Sequence, residues 1–127
     1  MDHTALPTVH DVLALPEVAA GSPELLAGER GLGREVRWAH VAAGAVAGLL
    51  DGGELVLTTG AGWPQASGAF APVVTELVTA GGSGVSAIVW ELGHTFSEVP
   101  DALVRACEHR GIPLVALHRE VRFVQIT

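Results

Sequence analysis

The stretch Glu54-Leu-Val-Leu-Thr-Thr-Gly-Ala-Gly62 decides the fold class. Its first five residues have an apolar centre on both faces of an extended chain, which is typical of a strand that is covered on both sides. The glycines that follow predict a tight loop, because glycine adopts turn conformations at no steric cost. Beyond the loop, apolar residues recur at helical spacing and predict a helix: Phe70, Val73, Val74, Leu77 and Val78. A strand, a loop and a helix in this order open an α/β unit.

The same order continues downstream. Val85 to Trp90 is a second apolar strand, Pro100-Asp101 opens another helix that ends at Gly111, and Leu114 to Leu117 is the last strand. Alternating strands and helices predict parallel pairing, and right-handed crossovers place both helices on one face of the sheet. The sequence therefore predicts an α/β fold: a single small domain with a mainly parallel sheet and flanking helices.

The residues before this core add shorter elements. We predict a helix from Val9 to about Leu15 that Thr8 caps, and a short strand that begins at Leu25. Val36 to Val41 alternates between two faces and is predicted as a further strand. The alanine- and glycine-rich segment Ala42 to Leu50 is predicted as a short helix.

Composition limits the function. The chain has 127 residues, enough for one domain, and a net charge of −7 with no lysine. An acidic chain is a poor partner for a nucleic-acid backbone, and the absence of lysine excludes a P-loop and a Schiff-base lysine. Its single cysteine, Cys107, and the lack of a signal pattern or an apolar span favour a cytoplasmic protein without a membrane contact.

Enzyme and metal motifs are missing. The six histidines lack the helical spacing of a metal site, and no serine stands in a nucleophile motif. Glu54 and Glu91 stand at opposite ends of their parallel strands, so we do not expect an acid–base pair. Cys107 lies on a helix stripe and is interpreted as core packing. We therefore expect no metal, no cofactor and no catalytic residue.

A ligand site is expected at the carboxyl ends of the strands, where open α/β sheets bind their ligands. These ends are the Thr58-Thr59-Gly60 loop, the loop that begins at Glu91, and the segment from His118 to Glu120. Free amides and hydroxyls in the first loop suit a polar or anionic small molecule. The candidate ligand-binding residues are Thr58, Thr59 and Gly60, with Trp38, His40 and Glu91 as further candidates.

Each of these residues also has a structural interpretation. The glycines at 60 and 62 fit an ordinary turn that needs positive φ, and His40 fits a hydrogen-bonded strand residue. Trp38 and Trp90 lie in predicted strands and are expected in the core, whereas Trp63 lies in a loop and is a candidate interface residue.

Several segments together resemble one family. They are Thr8-Val-His-Asp-Val-Leu-Ala-Leu-Pro16, Ala27-Gly-Glu-Arg-Gly-Leu-Gly-Arg-Glu-Val-Arg-Trp-Ala-His-Val41, Gly52-Gly-Glu-Leu-Val-Leu-Thr-Thr-Gly60, Val99-Pro100, Gly111-Ile-Pro-Leu-Val115 and Arg119-Glu-Val-Arg-Phe123. In this combination the chain resembles the N-terminal domain of purine catabolism regulator-like (PucR) proteins. The resemblance implies a regulatory or sensor domain over residues 8–127 of a longer bacterial transcription regulator. It also implies a C-terminal helix-turn-helix region outside this chain that contacts DNA.

The family name suggests effectors such as allantoin or urate, although relatives control other pathways as well. One segment departs from the family pattern: between Val41 and Asp51 the chain lacks the polar side chains that relatives tend to carry. Two hypotheses remain open. The first is a sensor of a small polar metabolite. The second is a ligand-free module that forms a homodimer through the Trp63 loop and the segment from Ala42 to Leu50.

Overall fold

The computed structural model describes residues 6–41, 52–59, 74, 75, 77–79, 82, 84–92 and 98–119. Its elements are α1 (Val9–Leu13), α2 (Pro16–Ala19), β1 (Pro23–Ala27), a 3-10 turn (Glu29–Gly31), β2 (Trp38–Val41), β3 (Glu54–Thr58), β4 (Ala87–Glu91), α4 (Asp101–Arg110) and β5 (Leu114–Leu117). The label α3 denotes the helical residues 74, 75 and 77–79. The predictions for Ala42 to Leu50, for Phe70 and Val73, and for Gly60 and Trp63 lie outside the described residues.

The five strands form one sheet in the order β1-β5-β4-β3-β2. Strands β2, β3, β4 and β5 are parallel to one another, but β1 is antiparallel to β5, with Pro23 opposite Leu117. The sheet is therefore mixed, and the prediction of a mainly parallel sheet is corrected. The reason lies just before β1: the carbonyl of Gly21 accepts hydrogen bonds from the backbone N–H groups of His118 and Arg119. These bonds start β1 at the carboxyl end of β5, so the strand must run back along it.

Core side chains cover both faces of this sheet. One face packs against α3 and α4, with Val56, Ile88, Trp90, Leu103 and Cys107 among its buried residues. The other face packs against α1 and α2 through Val9, Val12 and Val18, which contact the alternate residues of β3, β4 and β5. The two crossover helices lie on the same face, as predicted. The central strands β3 and β4 are buried along their whole length, which explains their continuous apolar sequence.

The helix ends follow from local chemistry. The Thr8 hydroxyl accepts a hydrogen bond from the backbone N–H of Asp11, and the Asp11 carboxylate accepts one from the N–H of Thr8, so that α1 begins with a capping box. Helix α4 ends at Gly111, whose φ of 68° is the left-handed conformation that glycine adopts most easily. Pro16 occupies the first turn of α2, where its missing N–H would have no helical partner.

The tryptophans differ in their environment. Trp90 is fully buried, which confirms the prediction for this residue. Trp38 is 42% exposed, so its expected place in the core is wrong. The cause is topological, because Trp38 belongs to β2, the last strand of the described sheet, and has a neighbouring strand on one side only. None of the described helices has both the length and the apolar character needed to cross a bilayer.

Candidate functional site

The carboxyl edge of the parallel strands brings two of the predicted ligand residues near each other. Thr58 lies opposite Trp90, and Glu91 lies opposite Leu117, so both end their strands at this edge. Their side chains point to opposite faces of the sheet, because Glu91 follows Trp90 and successive strand residues alternate. Both are buried, at 0% and 3% exposure, and both have interaction partners. Thr59 follows as a half-buried residue, and Gly60 lies outside the described residues.

The other two candidates lie elsewhere. Trp38 is opposite Glu54, at the amino edge of the sheet, and His40 is opposite Val56, in the middle of β2. The structure therefore separates Trp38 from the Thr58 loop by the length of a strand. Glu54 and Glu91 occupy opposite edges, as predicted. The Glu54 carboxylate accepts a hydrogen bond from the N–H of Gly52 at 2.8 Å, which fixes the turn into β3.

A cleft of about 420 Å³ opens at the same carboxyl edge, between β1, β5 and α4. We call it the carboxyl-edge cleft. Apolar side chains line part of it: Leu26, Leu92, Val99, Val104 and Ala116. Its polar lining consists of Glu24, Glu98, Asp101 and His118. The cleft lies on the α4 face of the sheet, since Ala116, Val99 and Leu26 belong to the core on that side.

The cleft has an acidic rim. Of the described residues that line it, three of the four polar ones are carboxylates and none is an arginine. His118 Nε2 lies 2.9 Å from Glu24 Oε1, an exposed contact that joins β5 to β1 at the mouth of the cleft. Among the described residues, no group of three or more histidine, cysteine, aspartate or glutamate side chains is placed to hold a metal ion.

Tight backbone packing holds the wall that β1 contributes. The N–H of Gly28 donates to Glu108 Oε1 at 2.9 Å, and Arg30 Nη2 donates to the carbonyl of His109 at 2.7 Å. These bonds join the turn after β1 to the end of α4. A Cβ on Gly31 would overlap the carbonyl oxygen of Gly111, so the two turns meet backbone to backbone. The contact joins β1 to α4 at the amino edge of the sheet, the end opposite to the one at which the cleft opens.

A second depression of about 350 Å³ lies on the opposite face, between α1 and β2. We call it the α1–β2 groove. It is lined by Pro7, Asp11, Val12, Leu15, Val36, Arg37, Trp38, Ala39 and Leu55. The Arg37 guanidinium carbon stacks 4.9 Å from the centre of the Trp38 ring. Hydrogen bonds from the backbone and hydroxyl of Thr8 lower the pKa of Asp11, which keeps this carboxylate charged.

Sequence reasoning found the edge of the sheet but not the cleft. The segment from His118 was named among the strand ends, and His118 does line the cleft. Glu24 and Leu26 were missed because nothing in the sequence of β1 indicates that it returns antiparallel to β5. Glu98 and Asp101 were missed as well, although a helix start beyond the carboxyl end of β4 is a place where such residues can be sought.

Cys107 is a buried thiol in the α4 core rather than a reactive group. Burial raises its pKa to about 12, so it is protonated at neutral pH. This agrees with the interpretation of Cys107 as core packing. Partial burial also lowers the pKa of Arg34, a residue that is outside both depressions and has an interaction partner.

Comparison with known proteins places the chain in a family. The sequence matches the purine catabolism regulatory protein-like family over residues 11–127, almost its whole length. The chain belongs to this family. The resemblance in the sequence motifs is thereby confirmed, and the family description indicates a regulatory protein. No curated protein matches the sequence significantly.

A solved structure is similar in fold. It is the CBS and DRTGG domains of the regulatory region of a Clostridium perfringens pyrophosphatase, complexed with its activator diadenosine tetraphosphate. The similarity has a TM-score of 0.56 at 14% sequence identity and covers 89% of this chain. It covers 44% of that chain, so our protein spans less than half of its length. At this identity the match supports the α/β fold and nothing finer.

Proposed function

We propose that this domain senses a small-molecule effector, which binds in the carboxyl-edge cleft, for a transcription regulator of its family. The observation that carries the proposal is the cleft itself. It has the size of a small-molecule site, an apolar floor with polar groups around it, and a position beyond the carboxyl ends of parallel strands. The similar pyrophosphatase domains, whose solved structure contains an activator, belong to a regulatory region and lend further support.

The charge of the cleft selects the class of effector. Glu98 and Asp101 are exposed carboxylates, and the nearby His118 is already engaged by Glu24. A polyphosphate such as the pyrophosphatase activator would face these carboxylates, and none of the described lining residues is an arginine that could balance its charge. A neutral or cationic molecule with several N–H donors fits better, because its donors match the carboxylate acceptors. Among purine breakdown products, neutral allantoin suits the cleft and the urate anion does not.

Regulation follows from what the effector would contact. Glu24 and Leu26 belong to β1, whereas Val99, Asp101 and Val104 lie on or beside α4. An effector held between β1 and α4 stabilises the conformation in which these two elements are close. It shifts the conformational equilibrium of the regulator only as far as its affinity for that conformation exceeds its affinity for the other. The DNA-contacting region is expected outside this chain. We accordingly propose no nucleic-acid contact, no catalysis and no metal for the domain itself.

The loop predicted from the sequence is a competing location for the same ligand. Thr58 points to the α4 face, the same face as the cleft, but two strands away from β5. The cleft is lined by neither Thr58 nor Thr59. The roles of Thr58, Thr59, Gly60, Trp38, His40 and Glu91 remain predictions, and so does the interface role of Trp63. A ligand-free dimerisation module also remains the alternative function.

A thermal-shift screen tests the proposal. The panel contains allantoin, urate, nucleobases, amino acids, carboxylates and diadenosine tetraphosphate. A ligand at a hundredfold its Kd adds about 2.7 kcal/mol to the free energy of unfolding. With about 2.1 cal/mol/K of unfolding entropy per residue, that is a rise in Tm of about 10 °C. We expect responses from neutral or cationic members, and silence across the panel rejects sensing.

Two pairs of variants locate the site. Val104→Phe fills the cleft from α4 and should remove the response, whereas Thr59→Val should leave it unchanged. If Thr59→Val removes the response and Val104→Phe does not, the ligand binds at the Thr58-Thr59-Gly60 loop, and the proposal that it binds in the cleft is wrong. Glu98→Gln removes one carboxylate of the rim, and Glu17→Gln on α2 is the control of equal charge change. A response weakened by Glu98→Gln but not by Glu17→Gln supports the proposed charge preference.

A further inference from the structure

Exposed apolar side chains concentrate around the α1–β2 groove, which the proposed sensor function does not use. Among the described residues, five large apolar side chains are exposed, and four of them lie on or beside this groove: Leu6, Leu15, Trp38 and Val41, at 37–52% exposure. Leu15 and Trp38 line it directly, and Leu6 precedes the lining residue Pro7. Val41 lies two residues beyond Ala39 and so extends the same face of β2. A cluster of this kind is typical of a protein–protein contact.

The groove also carries one balanced pair of charges. Arg37 has no carboxylate of the described residues within ion-pair distance, and its side-chain contact is the stacking on Trp38. Its aliphatic stem lies over Gly53, where an added Cβ would come within 2.7 Å of the Arg37 Cδ. The guanidinium is therefore held in place by packing, and no carboxylate in the described part of the chain pairs with its charge. Asp11, on the α1 side, supplies an exposed negative charge.

Charge balance points to a second copy of this chain as the occupant. The chain has a net charge of −7, so two copies repel each other through most of their surfaces. The carboxyl-edge cleft, with three carboxylates, is an unfavourable contact for an identical acidic partner. The α1–β2 groove offers one cation and one anion beside apolar side chains. Such a patch is self-complementary across a two-fold axis, because Arg37 of each copy can face Asp11 of the other.

We propose that two copies of this chain associate through their α1–β2 grooves. The contact includes Leu15 and Trp38, the exposed large apolar side chains that line the groove, and two symmetry-related Arg37–Asp11 pairs fix its orientation. The carboxyl-edge cleft lies on the opposite face of the sheet and stays open in this dimer. The proposal does not rest on the sensor function, since the lining residues of the two depressions do not overlap.

Charge exchange between two variants tests the contact. The assay is sedimentation equilibrium of the 127-residue chain from micromolar to millimolar concentration. We expect wild-type protein to dimerise, and Arg37→Glu to raise the dimer Kd about tenfold or more, equivalent to about 1.4 kcal/mol. Asp11→Lys should weaken its own dimer as well. An equimolar mixture of the two should associate again, because each copy then supplies the charge that the other lacks.

Controls separate the contact from effects on folding. Arg105→Glu makes the same charge change on an exposed residue of α4 and should leave the dimer Kd unchanged. Since Asp11→Lys also removes the α1 capping box, Leu15→Asp serves as a second variant that keeps the cap and should abolish association. Circular dichroism verifies that each variant is folded. A monomeric wild-type protein at millimolar concentration, a dimer that Arg37→Glu does not weaken, or a mixture that fails to associate overturns the proposal.

Discussion

The backbone contact at Gly31 predicts a large loss of stability from the addition of a single methyl group. Gly31→Ala adds a Cβ that would overlap the carbonyl oxygen of Gly111 and lie 2.8 Å from Cδ of Pro113. Both neighbours belong to the turn between α4 and β5, which is buried, so neither can rotate away as a flexible side chain would. Relief requires the two turns to separate, which also stretches the bonds from Gly28 to Glu108 and from Arg30 to His109.

The cost follows from the size of that overlap. Overpacking by one methyl group in a rigid site costs about 1–3 kcal/mol. We therefore expect Gly31→Ala to lower the free energy of unfolding by about 2 kcal/mol and Tm by about 7 °C, given about 2.1 cal/mol/K of unfolding entropy per residue. A domain of this size has roughly 5–15 kcal/mol of stability, so the variant should still fold.

Urea unfolding followed by the fluorescence of the buried Trp90 measures this difference. Gly33→Ala is the matched control: it is the same substitution two residues away, and its Cβ would meet nothing within 4 Å. We expect the control to change stability by less than about 1 kcal/mol in either direction. Equal effects of the two variants would refute the reasoning, because the close contact with Gly111 would then have no energetic consequence.

Two further predictions concern titratable groups. The pKa of Asp11 is lowered, so its contribution to the stability of α1 is complete above its ordinary pKa of 3.8 and is lost as the pH falls through the lowered value. Asp11→Asn should therefore be less stable than wild type in urea unfolding at about pH 6 and should approach it at about pH 2; a constant difference would contradict the capping-box account. The pKa of Cys107 is raised to about 12, so a thiol reagent at about pH 8 should modify it only when the protein unfolds. Rapid modification of the native protein would show that α4 opens far more readily than its packing indicates.

The parallel core was predictable because its sequence allows few alternatives. Glu54–Thr58, Ala87–Glu91 and Leu114–Leu117 are short apolar runs separated by helix signals, and only a doubly covered sheet buries all of them. The orientation of β1 was not predictable in the same way. Its sequence, Pro-Glu-Leu-Leu-Ala, fits a parallel or an antiparallel edge strand equally well. The direction is set by hydrogen bonds from His118 and Arg119 to Gly21, contacts nearly a hundred residues apart in the chain.

The candidate site depended on the direction of β1, which the sequence did not indicate. Position along a parallel strand predicts which residues reach the carboxyl edge, and Thr58, Glu91 and His118 do lie there. Alternation along β4 also implies that Glu91 points away from the face that Trp90 occupies, so residues at one edge do not automatically share a pocket. The wall formed by Glu24 and Leu26 exists only because β1 reverses. The prediction that Trp38 is in the core failed for a different reason. Alternation along a strand does not show whether the strand lies in the middle or at the edge of a sheet.

The net charge of the sequence does not show where the individual charges lie in the fold. A charge of −7 argues against a nucleic-acid contact, but it does not indicate where the negative charge concentrates. In the described part of the folded domain, three carboxylates line the carboxyl-edge cleft, whereas one carboxylate, Asp11, and one cation, Arg37, line the α1–β2 groove. Under the two proposals, an effector with N–H donors binds at the first surface, and a second acidic copy is repelled by it. The same net charge therefore favours opposite partners on opposite faces of one sheet.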